Sequence, residues 1–360
     1  MKYHISTKNK TSAYMQLYLQ IRQDITNRVY RFGTKLPSKR LLAELTNVSV
    51  ITVEHAYAIL CDEGYVESRQ RSGYFVIYKE NDFISIGENS YNALSHTVNT
   101  HNSKSTFPFS VIAKTMRKVL LDYNESILVK SPNHGCFELR SAISSYLARS
   151  NGITVKPESI IIGSGAEYLY SLIVQLLGNK RVFAIENPSY EKIRQVYTAC
   201  QVELDMLKMG RDGIKTSELQ RTNATVLHVT PFNSYPSSIT ATVSKRNEYI
   251  RWAETRDGYI IEDNYDSELT LSTKAEDTVF SMSPTDNVIY LNTFSKTVAP
   301  SIRVGYLVLP ESLLNDFQKK LGFYSCTVPV FEQYVLAELI NSGDFERHIN
   351  RVRRARRKLK

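Results

Sequence analysis

At 360 residues the chain is too long for a single small module, and single cores stop growing near roughly 250–300 residues, so two domains of unequal size are expected. With 42% hydrophobic and 22% charged residues the composition excludes wholesale disorder and a membrane bundle. The net charge of +9 gathers at the two ends: residues 1–80 carry 12 Lys and Arg against 7 Asp and Glu, and residues 341–360 carry 8 against 2. A basic small domain suits nucleic acid, because phosphate neutralisation supplies most non-specific affinity. The basic run Arg351 to Lys360 reads as a solvated helix face. No stretch approaches about 18 uncharged apolar residues, and the start MKYHISTKNK lacks a signal peptide's apolar run, so no membrane is involved and the cytoplasm is the expected location. Cys61, Cys136, Cys200 and Cys326 stand far apart, with no pair at metal-ligand or redox spacing.

In chain order, residues 14–28 place Leu17, Ile21 and Ile25 four apart, which predicts an amphipathic helix. After Gly33 and Pro37, Ser38 caps a short helix KRLLAEL. A second begins at Val48-Ser49 as ITVEHAYAILCDEG, with Ser49 or Thr52 as N-cap and Gly64 as the stop. Two helices joined by a short turn are a helix-turn-helix. YVESRQRSGYFVIY then reads as a hairpin turning near Gly73, which is the wing. Residues 81–106 hold five Asn and five Ser without a sustained period and are expected to link two domains, 1–80 and 107–360. Beyond them SIIIGSG, RVFAIE, ATVLHVT, YIIED and VIYLNT alternate with helical patterns, which predicts an α/β domain with a mainly parallel sheet and ligands at the carboxyl ends of its strands.

Residues 13–76 resemble the winged helix-turn-helix of GntR-type bacterial regulators, a small α+β domain. The start of the second helix is then expected in the major groove, where polar side chains meet base edges while others fix phosphates. The candidate DNA contacts are Ser38, Arg40, Ser49, Thr52 and Gly73; the family's pattern takes Arg40 to phosphate or base and lets Gly73 bring the wing to the minor groove. Where that family usually has Arg just after the Ser that opens the recognition helix, this chain has Val50, and a bidentate guanine contact worth about 1–3 kcal/mol of discrimination is absent.

Three strand-end clusters point to pyridoxal 5′-phosphate. In NTFSKTVAPSIRVGY, Lys296 follows an apolar run, and burial beside the cation Arg303 favours the neutral amine needed for Schiff-base formation, while Thr293, Ser295 and Arg303 suit a phosphate dianion. In IIEDNYDSEL, Asp263 suits a protonated pyridine nitrogen and Tyr265 a ring 3-oxygen. In GSGAEYLY, the N–H groups of Gly165 and Ala166 open a helix toward phosphate. In this order the clusters resemble fold-type I aminotransferases over about residues 107–360. ENPSY places Tyr190 where that resemblance stacks an aromatic on the cofactor ring.

A GntR-type reader, a linker and an aminotransferase-like domain together resemble the MocR subfamily of transcriptional regulators. That resemblance implies a double-stranded DNA operator, a homodimer, and a pocket that senses pyridoxal phosphate or an amino compound reacting with it. Two alternatives stay open: an active aminotransferase with a DNA-binding appendage, and a regulator that has lost its cofactor. Three departures bear on them. Asn233-Ser234 stands where the family has His-Gln, which puts the 3-oxygen contact in doubt. Glu167 stands where Gln is usual, so that a carboxylate there opposes a phosphate unless protonated or turned away. The chain also stops after FERHINRVRR, whereas members continue into a subdomain carrying a carboxylate-gripping arginine; this is either a shortened member or an incomplete sequence.

Overall fold

The four-residue spacing of Leu17, Ile21 and Ile25 buries all three on one face of α1 (Ala13–Thr26) in a computed structural model that describes residues 3–5, 11–70, 72–78, 107–270 and 276–358. The expected linker 81–106 lies outside the described residues. By its internal contacts the chain divides into two compact units, one of residues 1–103 and 108–124 and the other of residues 104–107 and 125–360.

In the first unit, α2 (Lys39–Thr46) starts at Ser38, whose hydroxyl accepts the Leu41 N–H, and ends at Asn47 in the left-handed conformation. α3 (Val50–Asp62) starts at Ser49, whose hydroxyl accepts the Thr52 N–H at 3.1 Å. Each such cap is worth about 1 kcal/mol, because it satisfies one of the donors a helix start leaves unpaired. Gly64, at φ +72°, turns the chain out into the antiparallel hairpin of β1 (Val66–Arg69) and β2 (Gly73–Val76), with Val66 opposite Val76. Leu17, Tyr18, Ile21, Val53, Tyr57, Leu60 and both valines form one core. α4 (Phe109–Tyr123), which the sequence reading places at the start of the second domain, groups with this unit, and its Arg117 lies over the Tyr65 ring at 4.5 Å.

The second unit is a seven-stranded mixed sheet between helices. Its strands are β3 (Ile160–Gly163), β4 (Val182–Asn187), β5 (Glu203–Lys208), β6 (Val226–Val229), β7 (Tyr259–Asp263), β8 (Val288–Thr293) and β9 (Gly305–Val308), in the spatial order β3-β9-β8-β7-β6-β4-β5. Every pairing is parallel except the two made by β9. The helices are α5 (Phe137–Asn151), α6 (Ala166–Leu177), α7 (Glu191–Ala199), α8 (Thr216–Arg221), α9 (Val243–Thr255), α10 (Val279–Met282), α11 (Glu311–Leu321), α12 (Val330–Asn341) and α13 (Asp344–Arg357).

Alternation along the strands divides the core in two. Phe183, Val226, Ile261 and Ile289 pack with α6, α7 and α11, and their neighbours Ala184, Leu227, Ile260 and Val288 pack with α8, α9 and α10. With both faces covered, the central strands read as unbroken apolar runs. β5 and β9 are not announced by such runs. ELDMLK lies at the sheet edge with its first residue exposed, and GYLV is only four residues long. Since β9 is antiparallel to both neighbours, β3 and β8 point the same way. The carboxyl ends of β3, β4, β6, β7 and β8 therefore share one edge with the start of β9. No helix among the described residues is long and apolar enough to cross a membrane.

Candidate functional site

At that shared edge a cavity of about 300 Å³ is lined by Ala166, Tyr190, Asp263, Tyr265, Thr293, Ser295, Lys296 and Arg303. These are eight of the nine pocket residues named from sequence, supplied by five separate strand ends and turns. The ninth, Gly165, lies behind the lining. It holds φ +90°, and a Cβ there would come within 2.9 Å of an Arg303 Nη, so glycine is what lets the guanidinium lie against the turn that opens α6.

Asp263 ends β7 and is 2% exposed. One of its oxygens accepts the Tyr265 N–H at 3.2 Å, and the other accepts the Tyr170 hydroxyl. Burial, then the adjacent Asp263 charge, pushes the Tyr170 phenol well above its usual range, so its proton stays on the tyrosine. His228 Nε2, on β6, lies 3.7 Å from the same Asp263 oxygen and is buried without a hydrogen-bond partner, while its Nδ1 meets Tyr197 Oη at 2.7 Å. A carboxylate accepts about four hydrogen bonds. With two taken, Asp263 keeps lone pairs for a further donor.

Lys296 Nζ lies 5.2 Å from the centre of the Tyr265 ring. The Tyr265 hydroxyl donates to the Asn233 carbonyl at 2.8 Å, so its proton is directed to backbone and not to the ring 3-oxygen expected from sequence. Nor does Ser234 supply that contact, because its side chain is buried and donates to Glu186. Tyr190, at the start of α7, and Tyr235 meet edge to face at 6.1 Å on the cavity wall.

Two of the expected phosphate donors are already engaged. Ser295 Oγ donates to the Ile302 carbonyl at 3.0 Å, and Arg303 is ion-paired with Glu167. Glu167 also takes Lys192 Nζ at 2.8 Å. Burial pushes the Glu167 carboxyl up. The Lys192 ammonium, its own N–H at the helix start and Arg303 together outweigh that and hold it at about 2. The carboxylate is therefore neither protonated nor turned away.

The donor set fits pyridoxal phosphate: a lysine amine, a buried carboxylate with free acceptor capacity, an unpartnered buried imidazole nitrogen behind it, and a glycine turn at a helix start beside an arginine. Tyr170, His228, Tyr197 and Lys192 are the residues that sequence reasoning missed. The one available signal is Tyr170, which lies a helical turn after Ala166 and so shares its face.

In the first unit, the Ser38 and Ser49 oxygens are committed to the caps, and Ser49 Oγ also meets Thr52 Oγ1 at 2.9 Å. Arg40 stands exposed on α2, and Val50 and Ile51 are 41% and 65% exposed at the start of α3. Gly73 opens β2 at φ +113°.

The bacterial regulatory proteins of the gntR family match residues 13–76, and the aminotransferase class I and II family matches residues 92–360. The uncharacterized HTH-type transcriptional regulator YdeL of Bacillus subtilis is 32% identical over 96% of this chain and 77% of its own length. The probable rhizopine catabolism regulatory protein MocR of Rhizobium meliloti is 26% identical over 94% and 74%. Among solved structures, an archaeal alanine:glyoxylate aminotransferase superposes with a TM-score of 0.63 at 22% identity, covering 67% of this chain; the chain spans 62% of that enzyme's length.

Proposed function

The chain belongs to the MocR-type GntR regulators, a GntR helix-turn-helix followed by an aminotransferase class I and II domain, and from that premise we propose that it is a homodimeric cytoplasmic regulator whose pocket binds pyridoxal 5′-phosphate at Lys296. It reports that cofactor, or an amino compound reacting with it, to a double-stranded DNA operator. The observation that carries this reading is the single cavity lined by Lys296 and Asp263 together with Thr293, Ser295 and Arg303.

When bound, pyridoxal phosphate supplies an aldehyde that condenses with amines and a pyridinium ring that draws electrons from them. Lys296 Nζ is the amine the chain offers. The Tyr170 proton is held on the tyrosine, and Asp263 offers its remaining lone pairs to a ring N–H. His228, bonded through Nδ1 to Tyr197, places its Nε2 3.7 Å from the Asp263 oxygen that accepts the Tyr170 hydroxyl. Tyr190 and Tyr235, in edge-to-face contact, offer aromatic faces on one side of the cavity.

At the DNA surface, Arg40 is the phosphate or base contact, Thr52 follows the caps into the groove, and Gly73 brings the wing close. Exposed Val50 and Ile51 suit the methyl group of thymine more than the acceptors of guanine.

Borohydride treatment of the chain with pyridoxal phosphate, followed by peptide mapping, is expected to label Lys296. Label on another lysine, or none, overturns the assignment.

A further inference from the structure

Glu167 is the second residue of α6, and its carboxylate is held by Lys192, by its own N–H at the helix start and by Arg303. Those groups are cations and N–H donors, the set that a phosphate monoester requires. Resting on the cofactor reading above, we propose that Glu167 is an internal anion that occupies the phosphate-gripping groups of the pocket, and that a phosphate-bearing ligand seats only by displacing it from Arg303.

The Arg303 guanidinium lies against the Cβ-less face of Gly165 at the start of α6, where an added Cβ would come within 2.9 Å of it. The pair is able to open. Its side chains are 52% and 25% exposed, and Glu167 keeps a second cation, Lys192, once it leaves Arg303. Protons do not release it: held at about 2, the carboxyl remains an anion at any working pH. What displaces it is a stronger anion, since a phosphate monoester carries roughly −1.5 to −2 charges near neutral pH. The pair therefore sets a threshold. The apparent affinity for phosphate ligands is scaled down to the fraction of molecules in which Arg303 is open, so a pair closed in nine molecules of ten costs about tenfold. Glu167 thus adjusts how much pyridoxal phosphate the regulator needs before it responds.

The test titrates the full, cofactor-free chain with pyridoxal phosphate and, separately, with pyridoxal, which lacks the phosphate. Glu167→Gln is expected to tighten pyridoxal phosphate about tenfold and to leave pyridoxal within twofold, with inorganic phosphate becoming a better competitor of the former. Lys192→Met, which leaves Glu167 wholly to Arg303, is expected to weaken pyridoxal phosphate and again to spare pyridoxal. A merely structural role for the cluster would not move the two variants in opposite directions. Unchanged or weaker pyridoxal phosphate binding in a Glu167→Gln protein that melts like the parent overturns the proposal, as does an equal gain for both ligands. Failure of the parent and both variants to bind pyridoxal phosphate at all would overturn the cofactor reading and this inference with it; binding by all three with equal affinity overturns this inference alone.

Discussion

Asp263 and Glu167 are two carboxylates of one cavity, and the fold surrounds them with opposite company. Asp263 is 2% exposed, and its hydrogen bonds come from neutral donors, the Tyr170 hydroxyl and the Tyr265 N–H. Glu167 has a quarter of its side chain in solvent and is bonded to two cations. Neutral donors satisfy an acid's oxygens without cancelling its charge, so Asp263 still attracts a cation. Cations cancel the charge, so Glu167 attracts nothing further and instead blocks its partners. The lesson is that a carboxylate's partners, more than its burial, decide whether it acts as a binding group or as a gate.

The sharpest way to break that comparison is Asp263→Asn. The amide keeps one acceptor oxygen for Tyr170 or Tyr265 and loses the charge. A hydrogen bond to a charged group contributes about 1.5–3 kcal/mol, so pyridoxal phosphate and pyridoxal should both weaken, by roughly 10- to 100-fold. Absorbance titration of the two ligands measures this. Equal affinity in the variant and the parent would remove Asp263 as the ring-nitrogen partner. The loss of both ligands also separates this variant from Glu167→Gln, which acts on the phosphate alone.

Gly165→Ala tests the other group with a smaller effect. At φ +90° a Cβ is strained by about 1–2 kcal/mol, and here it also meets Arg303. Pyridoxal phosphate is expected to weaken severalfold while pyridoxal is spared, with a melting point a few degrees lower. A variant that melts lower yet binds both ligands like the parent would detach Arg303 from the phosphate.

The legible parts of this molecule are those whose cause is local. Ser38 and Ser49 announce their helices because a cap needs only an oxygen and an N–H three residues on, and Gly64 announces a stop because few other residues take φ +72°. Lys296, Asp263 and Gly165 were legible as strand-end residues, since the apolar runs before them end where the sheet ends. What could not be read is what the topology brings together. His228 sits inside an apolar run, and only the order that places β6 beside β7 sets it against Asp263. β9 closes the sheet between β3 and β8 and carries Arg303, just before it, to a carboxylate 136 residues away. The charge of Glu167 was visible in the sequence; its capture of Arg303 was not.

A third carboxylate, Glu186, stands near the end of β4 and accepts the Thr230 N–H at 3.1 Å and the Ser234 hydroxyl. Burial pushes it up, its two hydrogen bonds only partly oppose that, the nearby Asp263 charge adds to it, and the result is about 7; burial also takes Glu262 and Glu268 to about 7. Against an ordinary value of 4.5, the folded chain holds more protons than the unfolded one between roughly pH 4.5 and 7. The contribution of these groups is therefore complete below pH 4.5 and fades as the pH rises through 7. Glu167 runs the other way: its contribution is present above pH 4.5 and is lost as the pH falls toward 2. Melting curves should thus decline between roughly pH 4.5 and 7 and level off above that, and Glu186→Gln should reduce the decline by one group's share while leaving the acid limb below pH 4.5 in place. Asp263→Asn should flatten it slightly as well, because the charge that helps raise Glu186 is gone. A decline as steep in Glu186→Gln as in the parent would mean that Glu186 titrates like an exposed acid, and that the decline is set by other groups.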